Sequence, residues 1–128
     1  MRYLLDTGVL IRHFRGDKTA VQLVRGLGKS NRLCISSMTR LEVRAGMYAS
    51  EQAVTYKLLS CFTNLDLDAA VADRAGEVVF QSRRSNKLIA VPDAIIAATA
   101  LVHNITLVTF NAADFKNVPN LSLHPLSS

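Results

Sequence analysis

Four acids, Asp6, Glu42, Asp93 and Asp114, fall at comparable places along this chain of 128 residues. Asp6 ends the short apolar run Tyr3-Leu4-Leu5. Glu42 lies one turn into a helical pattern that follows Leu33-Cys34-Ile35. Asp93 opens the most apolar helical stretch, directly after Pro92, and Asp114 comes soon after Ile105-Thr106-Leu107-Val108-Thr109. Parallel strands bring their C-terminal ends to one edge of a sheet, so carboxylates placed there can converge. Two carboxylates about 4 Å apart repel by on the order of 4 kcal/mol at an effective dielectric of 20, and a divalent cation relieves that repulsion. All-oxygen ligation points to Mg²⁺ or Mn²⁺, and the lack of a His/Cys pattern at zinc spacing argues against zinc. The chemistry expected of such a site is phosphodiester hydrolysis by an activated water, leaving a 5′-phosphate and a 3′-hydroxyl. The 2′-hydroxyl takes no part, so this chemistry alone does not choose RNA over DNA.

Each acid also has a purely structural reading. Asp6 could cap the helix that follows it. Thr39-Arg40-Leu41-Glu42 fits a capping box. Asp93 could be a first-turn acid favoured by the helix dipole, and Asn111 to Asp114 could be turn chemistry alone. Asp66, Asp68 and Asp73 read as loop, cap and solvated helix face.

The elements that must position these groups are short apolar strands alternating with helices, which predict an α/β domain with a central parallel sheet covered on both faces. After Tyr3–Leu5 comes a helical pattern in Val9, Leu10, His13 and Phe14. Thr19 is placed to cap a short helix from Ala20 to Gly26, and Gly26 to Asn31 reads as a turn-rich link. Its Gly-Lys-Ser lacks the earlier glycine of a phosphate loop. Ser50 is placed to cap a helix from Glu51 to about Phe62, with an apolar stripe of Ala53, Val54, Leu58, Cys61 and Phe62. Leu65-Asp66-Leu67 reads as a minimal strand. Asp68 then caps a long helix to about Arg83, its face being Val71, Ala72, Ala75, Val78, Val79 and Phe80. A helix from Ala94 to Val102 is stopped by His103-Asn104, and Leu121-Ser122-Leu123 reads as a last strand, for about five in all.

Nothing divides the chain, so residues 1–128 read as a single domain, long enough to bury a core without staples. The net charge of +5 suggests an anionic partner. No apolar run approaches the ~20 residues of a membrane span, and Cys34 and Cys61 read as buried, reduced thiols, consistent with a cytoplasmic protein. His13 and His103 read as structural, and Tyr48 and Tyr56 as packing residues.

Four blocks in order resemble PIN-domain ribonucleases, and among them the small VapC-type toxins of toxin–antitoxin pairs. They are Leu4-Leu5-Asp6-Thr7, Ile35 to Val43, Val91-Pro92-Asp93-Ala94 with the helix after it, and Leu107 to Phe115. The resemblance implies a three-layer α/β/α domain and a metal-dependent endoribonuclease in which Asp6, Glu42 and Asp93 hold Mg²⁺ or Mn²⁺, with Asp114 completing the quartet. It implies Thr109 and Asn111 as groups that hold the last acid, and Thr39 as a neighbour of Glu42. It further implies an RNA substrate, inhibition by a cognate antitoxin, and a homodimer. One departure is Gly8, where the family commonly carries Asn or Ser.

Arg12 and Arg15, and Arg83, Arg84 and Lys87, are candidates for RNA phosphate contacts, with a solvated face as the plain alternative. Two rivals stand beside the nuclease reading. One is a catalytically silent PIN-like domain that only binds RNA or protein. The other is a Mg²⁺-binding phosphoacceptor domain, against which stand the single acid after the first strand and the absence of a lysine in Thr109-Phe110-Asn111.

Overall fold

The computed structural model describes residues 1–126, so the last two residues of the expected domain lie outside it. Four strands, β1 (Arg2–Leu5), β2 (Arg32–Ser36), β3 (Thr63–Leu65) and β4 (Thr106–Val108), form one parallel sheet in the order β3-β2-β1-β4. The register sets Leu4 opposite Cys34 and Leu107, and Leu5 opposite Val108.

Alternation along the strands sorts the core into two layers. Leu4, Cys34 and Leu107 face α5 (Ala69–Arg84) and α6 (Val91–His103), packing with Val71, Ala75, Val78 and Ala97. Leu5, Ile35 and Val108 face the other way. They meet Val9 and Leu10 of α1 (Thr7–Phe14), Val24 of α2 (Lys18–Gly28), Val43 of α3 (Ser37–Gly46) and Leu59 of α4 (Gln52–Leu59). With both faces covered, consecutive strand residues such as Leu4-Leu5, Cys34-Ile35 and Leu107-Val108 can be apolar, as expected of a parallel sheet. A last short helix, α7 (Ala112–Phe115), buries Phe115.

Several expectations are corrected. The sheet has four strands, since Leu121–Leu123 contributes only an isolated parallel bridge, Leu107 to Leu123. Pro119 and Pro125 flank that segment, and a proline cannot donate to a ladder. The third strand runs Thr63–Leu65 and not Leu65–Leu67, because its partner β2 ends at Ser36, opposite Leu65. The second helix is capped by Asp17, whose side chain accepts from Ala20 N at 3.0 Å, and it continues through Gly26 to Gly28. Before α4 a single 3-10 turn covers Ala49–Glu51, where Glu51, not Ser50, bonds back to Tyr48 N at 2.9 Å.

The inward face of α4 is Thr55 and Leu59, one turn apart, so Val54 points outward with 62% exposure. The helix ends at Leu59, which leaves Cys61 exposed in the following turn; Cys34 is buried. Tyr48 and Tyr56 are also exposed, each with an arginine over its ring, Arg15 at 5.5 Å and Arg44 at 5.6 Å. On α5 the buried face is Val71, Ala75, Val78 and Ser82, and Phe80 lies outside beneath Arg84. Among the described residues no helix is long and apolar enough to cross a membrane.

Candidate active site

Because β1 lies between β2 and β4, the three strands end side by side; α1 begins after a single intervening residue, Asp6, and α3 directly after β2. Asp6 occupies the joint between β1 and α1. Its Oδ1 accepts from Thr7 N at 2.9 Å, so Asp6 does cap α1, the structural role open to it from the sequence. Its Oδ2 accepts the Thr109 hydroxyl at 2.7 Å, and Thr109 Oγ1 in turn accepts from Asn111 N at 2.9 Å. Both oxygens of a carboxylate only 5% exposed are therefore oriented. This corrects the assignment of Thr109 and Asn111 to the last acid. Thr109 holds the first acid, and Asn111 meets Asp114 through its backbone, the Asp114 N–H donating to Asn111 O at 3.0 Å.

Glu42 is not part of a capping box. The cap of α3 is Ser36, whose hydroxyl accepts from Met38 N at 2.9 Å. Glu42 Oε1 accepts the Thr7 hydroxyl at 2.7 Å, and Thr7 Oγ1 lies 2.9 Å from Thr39 Oγ1. A hydroxyl has one proton, so with Thr7 donating to Glu42 the Thr39 hydroxyl donates to Thr7. The relay Thr39–Thr7–Glu42 ties α3 to α1. Thr7 is not among the site residues expected from the sequence. The available signal was a hydroxyl directly after the first acid.

Asp93 is the third residue of α6, after Pro92, and the residue before the helix, Ala90, supplies no side-chain cap. Asp114 stands exposed on α7. The four acids act on one another. Burial first, then the charges of Asp6, Asp114 and Glu42, push the Asp93 carboxyl up to about 6. Burial also raises Asp6, with Glu42 and Asp114 adding to the effect and the hydrogen bonds from Thr109 and Thr7 opposing it. Among the described residues no three Asp, Glu, His or Cys side chains stand close enough together to hold a metal ion as they are placed. As a donor set they suit a hard cation, being carboxylate oxygens on one sheet edge whose mutual repulsion a divalent ion would neutralise.

The basic candidates divide. Arg12 pairs with Asp17 at 2.9 Å and stacks on Phe110, its guanidinium 4.1 Å from the ring centroid. Arg15 pairs with Glu51 at 2.7 Å. Arg83 borders a shallow groove with Phe80 and Ile95, and Arg84 lies over Phe80. Lys87 is the one beside the acids. It lines a cavity of about 520 Å³ together with Asp93, Asp114, Gln81 and Asn117, the last two not singled out from the sequence. His13 stands apart from the acids on α1, where burial and the charge of Arg25 hold its imidazole below the usual value.

A parallel sheet with this acidic edge defines a PIN-type fold, and the PIN domain family model matches residues 3–121. The chain belongs to the PIN-domain family. Its curated relatives include ribonuclease VapC10 of Mycobacterium tuberculosis, 35% identical over 112 residues that cover 88% of this chain and 84% of the relative. Two solved structures are similar in fold. VapBC2 from Rickettsia felis, bound to a DNA fragment from its promoter, gives a TM-score of 0.85 at 28% identity, covering 97% of this chain and 98% of that one. A toxin–antitoxin complex from Klebsiella pneumoniae gives 0.80 at 30% identity, covering 97% of both chains.

Proposed function

We propose that this protein is a metal-dependent endoribonuclease and the toxin of a toxin–antitoxin pair. The observation that carries the reading is that Asp6, Glu42, Asp93 and Asp114 lie within electrostatic reach of one another, in a chain whose relatives are named VapC ribonucleases. Asp6, Glu42 and Asp93 would hold Mg²⁺ or Mn²⁺, with Asp114 beside them. When bound, the ion would activate water and offset charge at phosphorus. The protein's own contribution is orientation. Thr109 and the Thr7 N–H fix the two oxygens of Asp6, and the Thr39–Thr7 relay fixes Glu42. In the net reaction the water oxygen bonds to phosphorus and the P–O3′ bond breaks. The departing 3′ oxygen ends protonated.

The proposed inhibitor is a cognate antitoxin, as the likeness to a toxin–antitoxin complex supports. A shallow groove between α1, α3 and α4, lined by Ile11, Phe14, Val43, Met47, Val54 and Leu58, is the surface we assign to it, with a basic antitoxin side chain covering the acids. A homodimer acting on cytoplasmic RNA completes the proposal.

The test is incubation of a circular single-stranded RNA with purified protein in Mn²⁺, Mg²⁺ or EDTA, with Asp93→Asn in parallel. Metal-dependent linearisation that the variant lacks is the expected result, and a circle can be opened only by an endonuclease. Metal binding without cutting would replace the enzyme with a silent binding domain.

A further inference from the structure

The cavity beside the acids has features that phosphodiester hydrolysis alone does not require. Its walls come from the last turns of α5, the segment joining it to α6, and the turn after α7, and it shares Asp93 and Asp114 with the acidic site. At about 520 Å³ it falls within the range of small-molecule sites, roughly 300–1,000 Å³, which suits one nucleotide and not a duplex. The joining segment is held by backbone bonding. Asn86 adopts φ 59°, Asn86 N donates to Arg83 O at 3.3 Å, and Lys87 N donates to Ser82 O at 3.0 Å. That is the Schellman pattern, so the backbone that carries Lys87 is set in advance.

The side chains match a nucleotide part by part. The ion pairs among the described residues are Arg12–Asp17, Arg15–Glu51 and Arg74–Glu77, which leaves Lys87 available to a phosphate. Gln81 and Asn117 are exposed amides, each able to donate and accept on a base edge. Leu88, 74% exposed at the rim, offers an apolar surface to a base face. Single-stranded RNA is read in this manner, through splayed bases bonded at their edges.

We propose that this cavity is the subsite for the nucleotide next to the cleaved phosphate, with Gln81 and Asn117 reading its base and Lys87 its phosphate. The inference rests on the ribonuclease reading and adds to it the origin of sequence preference. A random single-stranded RNA pool would be cut in Mn²⁺ and the ends sequenced, for the parent, Gln81→Ala, Asn117→Ala and Lys87→Ala. The same pool would be captured on filters in EDTA and sequenced, which reads selection without cleavage. Loss of either amide changes the base ratio at a position flanking the cut by about tenfold. Lys87→Ala weakens capture of all sequences alike and reduces its salt dependence.

Parent cutting with no flanking preference, or with one unchanged in both amide variants, overturns the subsite and leaves the nuclease standing. A parent that does not cut, yet captures a biased pool that the amide variants do not, overturns the nuclease and keeps the subsite. Neither cutting nor biased capture removes both.

Discussion

The Thr109 hydroxyl donates to Asp6 Oδ2 across 2.7 Å, joining residues 103 positions apart at the ends of neighbouring parallel strands. Asp6 is 5% exposed and Thr109 1%, so the bond is made out of water. It also positions the loop to Asp114, since Thr109 Oγ1 accepts from Asn111 N. Thr109→Val keeps the shape and removes the donor. A hydrogen bond to a charged group contributes about 1.5–3 kcal/mol, and a loss in that range is expected in urea unfolding at neutral pH. An unchanged midpoint would show that the bond contributes nothing to stability.

The Asp93 carboxyl, at about 6, lies above its ordinary 3.8. The fold therefore favours the protonated form. This contribution to stability is complete below the ordinary value and is lost as pH rises through about 6. With metal removed, the melting temperature should fall between pH 4.5 and 7, with Asp6, also raised, acting in the same direction. In Asp93→Asn the fall should shrink, and at pH 7.5 the variant should melt no lower than the parent. A variant that melts markedly lower in chelator would make the carboxylate a structural support.

Added Mn²⁺ should stabilise the parent by mass action, by about 2.7 kcal/mol at a free concentration of 100 Kd. Asp93→Asn should gain much less. Thermal scans across a Mn²⁺ series read this directly, and equal gains in the two proteins would place the ion elsewhere.

Gly8 sits inside α1, and a Cβ built there would have Asn111 Nδ2, 4.0 Å away, as its nearest neighbour. The space is open. Gly8→Ala should therefore raise stability by up to about 1 kcal/mol, the helix cost of glycine, while RNA cleavage stays within twofold of the parent. A large loss of cleavage would show that the site needs an open backbone at that position.

Much of the architecture was legible in the chain, because strand and helix periods are local properties. Tyr3-Leu4-Leu5, Leu33-Cys34-Ile35 and, apart from Thr106, Ile105 to Val108 are apolar, and each becomes, or overlaps, a strand covered on both faces. The acids were legible for the same reason. Each stands at a strand end or within about two turns of a helix start, and parallel topology then places such ends on one edge. The weaker elements depended on partners. Leu121–Leu123 is as apolar as the third strand, yet it makes one bridge, because flanking prolines limit its ladder.

By itself the sequence determined the class of fold and where along it the four acids fall, since those follow from residue type and period. The tertiary structure alone decided which hydroxyl serves which carboxylate. Thr109 goes to Asp6, while Thr39 reaches Glu42 through Thr7, because β1 lies between β2 and β4 and α1 lies against α3. It also withdrew Arg12 and Arg15 into pairs with Asp17 and Glu51 and left Lys87 beside the acids. Hydrogen bonds and ion pairs depend on ångström distances between segments far apart in the chain, and no local period encodes those.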